Sequence, residues 1–261
     1  MDEGILRNFF PQEDRKENIL PKKLICLEEV TSTNDVAREK IKEGVSSGTI
    51  IIANSQSKGR GRLDRSWVSM PDMGVYMSAI LQDKEYVSSL NITQFCGVSL
   101  SRSIGENYKI PVKIRWPNDL VIEHKKLGGI LVETQTDKQG KNYYIIGVGI
   151  NVNYKESDLP SNSTSLFAID EKRRVSFEVA GVILLKLNDD LLKLRNNTEE
   201  ITPKIIEAFS DFLKKRVEIE LLNGKVLEGV VSGFDTEGAL LLRLDTGFIQ
   251  AVDSREVAKL V

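Results

Sequence analysis

The stretch VKIRWPNDLVIEHKKLGGILVET, residues 112–134, predicts three short strands joined by two turns. The first interruption, at residues 116–119, contains proline, asparagine and aspartate, which favour a turn. If the last two strands pair as a hairpin, Asp119 and Lys126 need not be adjacent, but both side chains can line one cleft. The stretch therefore predicts part of a sheet whose turns carry candidate functional residues.

The segments on either side of this stretch carry both strand and helix patterns. Buried or alternating apolar runs predict further strands at residues 24–30, 48–55, 73–82 and 143–153. Apolar residues at helical spacing predict helices at residues 31–44 and 91–108 and a helix-rich stretch at residues 176–213.

Both ends of the chain differ from this central part. Residues 1–22 have little periodicity and many charges, which predicts a tail or a loosely packed arm. Residues 216–261 are short apolar runs separated by glycine-containing turns, and Asn223-Gly224 is a strong hairpin signal. This pattern suits a small barrel of the SH3-like type, and we place the boundary near Lys214.

The composition argues against several classes of protein. A net charge of −2 over 261 residues gives no general affinity for nucleic acid or an anionic membrane. A single histidine, His124, cannot alone form a metal cluster or a histidine-based triad. Cys26 and Cys96 lie in apolar surroundings and are expected to be reduced core residues. The acidic N-terminus, broken by Pro11, and the lack of a membrane-length apolar run predict a cytoplasmic protein without a membrane partner.

The stretch SQSKGRGRLDRSWVS, residues 55–69, is the most basic part of the chain. It holds four cations within eight residues: Lys58, Arg60, Arg62 and Arg65. Gly59 and Gly61 let the backbone approach a ligand closely, and the planar fork of arginine suits phosphate oxygens. A polyphosphate fits this loop better than a single carboxylate, but a solvated basic loop and a nucleic-acid patch remain open alternatives. The spacing of a P-loop or a Rossmann fingerprint is absent.

Three further segments carry weaker signals. Lys126 beside Gly128-Gly129 can hold an anion, although for these residues alone a tight hairpin with a solvated Lys125-Lys126 pair is the favoured explanation. The glycines of GVGIN, residues 147–151, indicate a close approach by a ligand or by a neighbouring strand. Residues 32–34, Ser-Thr-Asn, either cap the following helix or point at the amide-like head of a ligand.

The order of these motifs is more specific than any one of them. STN, QxxGRGRxxRxW, WPNDL, KLGGILVE and GVGINVN, followed by a small strand-rich module, resemble the biotin–protein ligases from about residue 24 to the C-terminus. The resemblance implies an α+β fold: a mixed β-sheet catalytic domain backed by helices (residues 23–213), then a small SH3-like β-barrel (residues 214–261). It also implies an enzyme that joins biotin to a lysine of a biotin carboxyl carrier protein through biotinyl-5′-AMP.

The resemblance further implies the ligands and partners. ATP and Mg²⁺ are expected as co-substrates and biotin as the substrate, with no tightly bound prosthetic group. The expected partner is a biotin carboxyl carrier protein or the carrier domain of a carboxylase. Family members are monomers or dimers, so a homodimer is compatible with the resemblance, whereas no nucleic-acid partner is expected.

The resemblance assigns roles to particular residues. The catalytic set is Lys126, Arg60, Arg62 and Asp119. The biotin-binding set is Ser32, Thr33, Asn34, Gln56, Gly59, Arg60, Arg62, Lys126, Gly128, Gly129 and Ile130. The ATP- or AMP-binding set is Arg62, Arg65, Trp67, Asn118, Asp119, Lys126 and Asn151. Within these sets, Trp67 resembles the tryptophan that stacks on adenine, and Asp119 is the candidate Mg²⁺ ligand, directly or through water.

Two departures from the family pattern affect these expectations. Repressor members of the family carry an N-terminal winged helix-turn-helix of about sixty residues or more. Here the match to the family starts near residue 24, which leaves no room for such a domain. No operator binding is therefore expected. Leu63 and Asp64 stand where many members have a further arginine or glycine, which lowers the local positive charge. We still expect residues 56–67 to be a mobile lid that a ligand orders, because an adenylate must be kept from water.

Two competing interpretations remain at this point. A lipoate–protein ligase would use the same adenylation chemistry, although GRGRLDRSW and the strand-rich C-terminal module favour biotin. A nucleic-acid-binding module would place the arginine loop on a phosphate backbone. The acidic net charge argues against this module. So does the scarcity of aromatic residues in the small barrel, which contains only Phe234 and Phe248.

Overall fold

The computed structural model describes residues 3–11, 17–83, 89–196 and 202–260. Seven strands form one mixed sheet in the order β1-β2-β3-β7-β6-β5-β4, in which β1 and β2 are parallel and all other neighbours are antiparallel. The strands are β1 (Lys23–Val30), β2 (Thr49–Gln56), β3 (Gly74–Gln82), β4 (Lys113–Arg115), β5 (Asp119–Ile122), β6 (Lys125–Thr136) and β7 (Asn142–Asn151). The predicted meander at residues 112–134 is therefore β4, β5 and the first part of β6.

Alternation along the strands divides their apolar side chains between two cores. Ile50 and Ile52 of β2 belong to the larger core, whereas Ile51 between them belongs to a smaller core on the opposite face. The larger core is covered by three helices: α1 (Glu3–Phe9), α3 (Ser89–Tyr108) and α5 (Ser176–Arg195). The smaller core is covered by α2 (Thr33–Lys42), which leaves the rest of that face free of helices.

Two short helices complete the helical part, α4 (Leu166–Asp170) and α6 (Pro203–Phe209). Helix α2 starts after Ser32, whose side chain makes no capping hydrogen bond, so the hydroxyl of Ser32 is not used as a helix cap. Within the described part of the chain, no helix has both the length and the apolar character needed to cross a membrane.

The N-terminal segment packs tightly, so the prediction of a loosely packed arm is wrong for residues 3–11 and 17–22. Four apolar side chains there are buried: Leu6, Phe10, Ile19 and Leu20. The backbone N–H groups of Ile19 and Leu20 donate to Oδ1 of Asn188 on α5, at 2.9 and 3.0 Å. The apolar residues of this segment are too few to show a helical or strand periodicity in the sequence. Their burial against α5 nevertheless holds the segment in place.

Five antiparallel strands form the C-terminal sheet, in the order β11-β10-β9-β8-β12. They are β8 (Arg216–Leu221), β9 (Val226–Phe234), β10 (Leu240–Arg243), β11 (Ile249–Val252) and β12 (Val257–Leu260). Alternate residues of β8 are buried, as expected for a sheet with one face in a core. A mixed sheet with helices followed by a small all-strand domain confirms the predicted α+β class.

The core of the small sheet extends beyond the predicted boundary. Trp116, from the turn between β4 and β5, is buried in that core together with Ile206 of α6. The indole Nε1 of Trp116 donates to the carbonyl oxygen of Gly238 at 3.1 Å. The turn that carries Asn118 and Asp119 is therefore anchored in both parts of the molecule, and the division at Lys214 stays a prediction.

Candidate active site

A cavity of about 180 Å³ lies on the helix-free part of the main sheet, between the arginine loop and strand β12. Three of the predicted site residues, Gly59, Gly128 and Asn151, do not line it. The other predicted site residues all do: Ser32, Thr33, Asn34, Gln56, Arg60, Arg62, Arg65, Trp67, Asn118, Asp119, Lys126, Gly129 and Ile130. The structure thus brings together segments that are far apart in the sequence.

Asp119 and Lys126 are in direct contact, whereas the sequence predicted only that both side chains can line one cleft. Lys126 Nζ lies 2.7 Å from Asp119 Oδ1. The register between β5 and β6 shifts so that Leu120 faces Gly128 and Val121 faces Lys126, which leaves Leu127 as an extra residue. This bulge turns Lys126 to the face that carries Asp119 and Gly129. Because Gly129 has no side chain, the ion pair has room beside it.

The backbone of Lys126 is fixed from behind the cavity. Its N–H donates to the carbonyl oxygen of Asn162 at 2.7 Å, and its carbonyl oxygen accepts from the N–H of Thr164 at 2.8 Å. Asn151 is buried there, and its Nδ2 donates to the carbonyl oxygen of Thr164 at 2.9 Å. Asn151 therefore supports the segment that holds Lys126 and does not itself face the cavity.

The arginine loop has a defined backbone conformation. The N–H of Trp67 donates to the carbonyl oxygen of Gly59 at 2.9 Å, and the N–H of Gly61 donates to that of Arg65 at 2.7 Å. A Cβ at Gly59 would collide with the carbonyl oxygen of Trp67, so this position needs glycine. Leu63 and Asp64 both have left-handed φ values, 55° and 53°, in the tight turn of the loop. Ordering of the loop by a ligand stays a prediction.

The three arginines of the loop, all of which line the cavity, have different partners. Arg60 Nη2 lies 2.5 Å from Asp35 Oδ1, and Arg60 Nη1 lies 3.7 Å from Glu133 Oε1. Arg62 instead donates to main-chain carbonyls before and within β12, those of Ser254 at 2.6 Å and Val257 at 3.1 Å.

Arg65 donates to the carbonyl oxygen of Ala258 at 3.1 Å. Burial holds the pKa of the Arg62 guanidinium below its ordinary value, with Asp119 opposing and Arg65 reinforcing this effect. Among the described residues, no carboxylate lies within ion-pair distance of Arg62 or Arg65. Their charges are therefore not offset by a direct ion pair.

Trp67 lies across the floor of the cavity against strand β7. A Cβ at Gly149 would collide with its indole ring, so the glycine in GVGIN makes room for this side chain. Lys126 Nζ is 5.5 Å from the centroid of the ring, within the range of a cation–π contact. The indole Nε1 is buried and has no hydrogen-bond partner, which leaves one donor of the site unused. We call Arg62, Arg65, Trp67 and β12 the arginine end of the cavity.

The opposite end is a hydrogen-bonded cluster, here called the amide end: Thr33, Asn34, Gln56 and Ser78. The N–H of Thr33 donates to Gln56 Oε1 at 2.8 Å, and Gln56 Nε2 donates to Ser69 Oγ at 2.8 Å. Asn34 is buried, and a Cβ at Gly147 would collide with its Oδ1. The two glycines of GVGIN that face the site thus accommodate Asn34 and Trp67, neither of which the sequence could identify as the neighbour.

Several residues of the site were missed from the sequence. Asp35, Ser78 and Glu133 contact predicted site residues through their side chains, and β12 closes the cavity from the C-terminal domain. Glu133 had a usable signal, because it lies four residues after Gly129 on the same strand and therefore on the same face. For β12 the sequence has no such signal, since its position depends on how the two sheets meet.

The donor set fits a Mg²⁺ ion that is held mainly by a triphosphate. Among the described residues, no group of three side chains could hold a metal ion by themselves. Asp119 supplies one carboxylate, and Mg²⁺ in nucleotide sites commonly takes one or two carboxylates, with phosphates and water as the other ligands.

Comparisons with known proteins define the class to which this fold and cavity belong. Residues 26–151 match the model of the Biotin/lipoate A/B protein ligase family, and residues 212–260 match that of the Biotin protein ligase C terminal domain. A mixed sheet of the first type, followed by a small sheet of the second, makes the protein a cofactor ligase, and the predicted enzyme class is confirmed.

Individual relatives narrow this class. The bifunctional ligase/repressor BirA of Bacillus subtilis is 32% identical over 237 residues, which cover 89% of this chain and 73% of the relative. The biotin--[acetyl-CoA-carboxylase] ligase of Mycobacterium tuberculosis is 25% identical over 75% of this chain and 73% of its own. The biotin protein ligase of Aquifex aeolicus in complex with biotin and ATP is 33% identical, with a TM-score of 0.78 over 92% of this chain and 99% of that chain. The chain belongs to the biotin protein ligase family.

Proposed function

We propose that this protein attaches biotin to a lysine of a biotin carboxyl carrier protein, with ATP as co-substrate and biotinyl-5′-AMP as intermediate. The observation that carries the proposal is the convergence on one cavity of the Lys126–Asp119 pair with the tryptophan and the three arginines of the arginine loop. A carboxylate and a triphosphate repel each other, so a site that joins them needs several cations at the place where they meet.

The amide end suits the head of biotin. A ureido group presents one carbonyl acceptor and two N–H donors, and the side chains of Thr33, Asn34 and Gln56 supply both kinds of partner in a small space. The buried position of Asn34 keeps water away from such a contact. The carboxylate tail of the ligand would then extend toward Lys126 and the arginine end.

In the first half-reaction, an oxygen of the biotin carboxylate attacks the α-phosphorus of ATP, and pyrophosphate leaves with its electron pair. Lys126 would contact both the carboxylate and the α-phosphate and so hold the attacking oxygen near the phosphorus. Arg62 and Arg65 would stabilise the negative charge on the phosphates, and Trp67 would stack on adenine. Mg²⁺, when bound, would neutralise phosphate charge, with Asp119 as the protein ligand.

In the second half-reaction, the amine of the carrier lysine attacks the acyl carbon, AMP leaves, and the amine loses a proton. Asp119 is the candidate acceptor for this proton, since it is a carboxylate at the reacting end of the cavity. Loss of carrier biotinylation in Asp119→Asn, with biotinyl-AMP formation kept, would support this role over that of Mg²⁺ ligand. Loss of adenylate formation alone would contradict this role for Asp119.

The proposal is tested by titration calorimetry with biotin or lipoate, with and without ATP, followed by mass spectrometry. We expect binding of biotin, retention of biotinyl-AMP when ATP is present, and one added biotinyl group on a carrier domain. Adenylation of lipoate instead would establish a lipoate ligase. Salt-sensitive binding of random DNA without any biotin-dependent pyrophosphate release would establish the nucleic-acid alternative.

Three further properties stay predictions with their own measurements. The absence of repressor activity is tested by gel shifts with the control regions of biotin-related genes, since the Bacillus subtilis relative is named a ligase/repressor. Sedimentation with and without biotin and ATP distinguishes monomer from homodimer. Fractionation of cells tests the predicted cytoplasmic location.

A further inference from the structure

Glu133, on strand β6, has no part in the proposed reaction, yet its carboxylate contacts both Asn34 of the amide end and Arg60 of the arginine loop. Oε2 accepts from Asn34 Nδ2 at 2.7 Å, and Oε1 accepts from Arg38 Nη2 at 2.8 Å and lies 3.7 Å from Arg60 Nη1. Its side chain is only 22% exposed, so water competes little for these contacts. One carboxylate therefore joins the amide end to an arginine of the loop.

The hydrogen bonds around Asn34 run in one direction and end at Glu133. Asn34 Oδ1 cannot donate, so the hydroxyl hydrogen of Ser78 must point at it, over a distance of 2.6 Å. Ser78 has no second hydrogen, so in its 2.7 Å contact with Thr33 Oγ1 the threonine donates, in preference to the longer 3.3 Å contact of Thr33 Oγ1 with Gln56 Oε1. The chain of donors is Thr33, Ser78, Asn34, and Glu133 is the final acceptor.

This directionality explains why an acid is useful at position 133. A carboxylate only accepts hydrogen bonds, so it pairs with the amide nitrogen of Asn34. If the amide were flipped, two acceptor oxygens would face each other, which is unfavourable. A glutamine could turn its own NH₂ toward Asn34, and Ser78 could accept from the flipped nitrogen. Glu133→Gln would therefore allow two orientations of Asn34, of which only one presents the present hydrogen-bonding pattern to a ligand.

The second oxygen of Glu133 takes part in an alternating arrangement of charges. Arg38 bridges the two carboxylates, since its Nη1 also lies 2.8 Å from Asp35 Oδ1, and Asp35 in turn contacts Arg60. Two guanidinium groups and two carboxylates thus form a set with no net charge. Arg60 is held at the edge of the cavity mainly by Asp35 of α2 and Glu133 of β6, with a longer contact of 3.9 Å to exposed Asp64 of its own loop.

We propose that Glu133 is a positioning residue that orients Asn34 for the biotin head and anchors Arg60, so that both respond to the loss of this one carboxylate. The inference rests on the proposed function, because it names biotin as the ligand at Asn34. Glu133 itself touches no reacting atom in this scheme. Its effect passes through Asn34 and Arg60.

The test measures biotin affinity by calorimetry in the wild type, Glu133→Gln, Asn34→Ala and the double variant. We expect Glu133→Gln to raise the Kd for biotin at least tenfold, the scale for a hydrogen bond to a charged group. Because part of the effect passes through Asn34, Glu133→Gln should cost less affinity in the Asn34→Ala background than in the wild type, and the remaining cost measures the part that passes through Arg60. Glu39→Gln, which removes the same charge from the exposed face of α2, is the matched control and should bind like the wild type.

The outcomes separate this inference from the proposed function. If the wild type binds no biotin, the proposed function fails and the inference fails with it. If the wild type binds biotin but Glu133→Gln binds within twofold of it, or the two substitutions are additive, the inference alone is overturned.

A second variant covers the case in which Glu133→Gln does not fold. Ser78→Ala removes the other group that orients Asn34 and changes no charge. It should also raise the Kd for biotin, without adding to Asn34→Ala. Unchanged biotin affinity in a folded Ser78→Ala protein would contradict the directed chain.

Discussion

The two ends of the cavity hold their polar groups in different ways. At the amide end, Asn34 and Ser78 have partners for their polar atoms, and Arg60 next to them is paired with carboxylates. At the arginine end, among the residues that the structure describes, Arg62 donates only to backbone carbonyls and the indole N–H of Trp67 has no partner. The first end is set before a ligand arrives, whereas the second keeps positive charge and a free donor for an incoming anion.

This difference affects how much free energy each end can contribute to ligand binding. A satisfied network fixes geometry but offers a ligand little additional attraction, since each new contact replaces an existing one. Cations that face only carbonyl dipoles retain their charge and gain more when a phosphate approaches. In the biotin protein ligase family, shape recognition of a neutral head and electrostatic recognition of a triphosphate call for these two different designs.

The largest expected effect comes from Lys126, which lies between the two ends. Lys126→Ala leaves Asp119 without its partner and places an unopposed negative charge where the phosphate is expected. We expect adenylate formation, measured by pyrophosphate release, to fall roughly 10²- to 10³-fold. Lys125→Ala is the control, because the neighbouring lysine pairs with exposed Glu156 at 2.8 Å. Equal losses in both variants would show that the lysine pair acts only through general charge.

The next largest effect is expected from the arginine end. Arg62→Ala removes the hydrogen bonds to Ser254 and Val257 and thus part of the link between the loop and the C-terminal domain, to which Arg65 also donates. The KM for ATP should rise about ten- to hundredfold, with a smaller change in biotin affinity. Arg65→Ala, which loses one carbonyl contact on an exposed side chain, should have a weaker effect. If Arg62→Ala weakened biotin binding more than ATP binding, the arginine end would not be the end that serves ATP.

Two glycines on β7 allow each end to be disturbed separately. A side chain at Gly147 meets Asn34, and one at Gly149 meets the ring of Trp67. We expect Gly147→Ala to weaken biotin binding and Gly149→Ala to weaken ATP binding, each by about tenfold, the lower range for overpacking. Calorimetry with each ligand makes the test, and the two variants serve as controls for each other. If both variants weakened both ligands equally, the ends would not be separable.

The smallest expected effect concerns pH. The hydrogen bond from Arg255 holds the pKa of Asp253 below its ordinary value, just before the carbonyl that receives Arg62. Because the folded state favours the ionised carboxylate of Asp253, this group stabilises the folded protein at pH values above its unfolded-state pKa of about 3.9. The stabilisation is lost as the pH falls through the lower folded-state pKa. Asp253→Asn should lower the free energy of unfolding by about 1 kcal/mol or less at pH 7. Urea unfolding should show this difference shrinking toward pH 3. A constant difference across that range would mean that the charge of Asp253 is not responsible.

The sequence predicted the local features well. Turn residues at 116–119 and the hairpin at Asn223-Gly224 predicted the strand order along the chain, because these signals depend on neighbouring residues alone. The arginine loop and the Lys126 hairpin were identified as parts of one site by the order of their motifs. What the sequence predicted least well was which side chains meet across the sheet.

The failures have a common physical origin. The packing of residues 3–11 on α5, the contact of Glu133 with Asn34 and the arrival of β12 at the cavity all join segments distant in the chain. Periodicity indicates that a face is buried or exposed, but not which partner covers it. The hydrogen bond from Asn151 to Thr164 shows the same limit, and the assignment of Asn151 to the nucleotide site stays a prediction.

The extra residue at Leu127 has a consequence for how this hairpin tolerates change. Substituting another aliphatic side chain at this fully buried position keeps the offset in the ladder and leaves the amine of Lys126 where it is. Deleting the residue makes Lys126 the direct neighbour of Gly128, so regular alternation keeps Lys126 paired with Val121 and its amine on the face of Asp119. A single-codon deletion at Leu127 should therefore cost stability, through the lost buried side chain, and leave the amine in place.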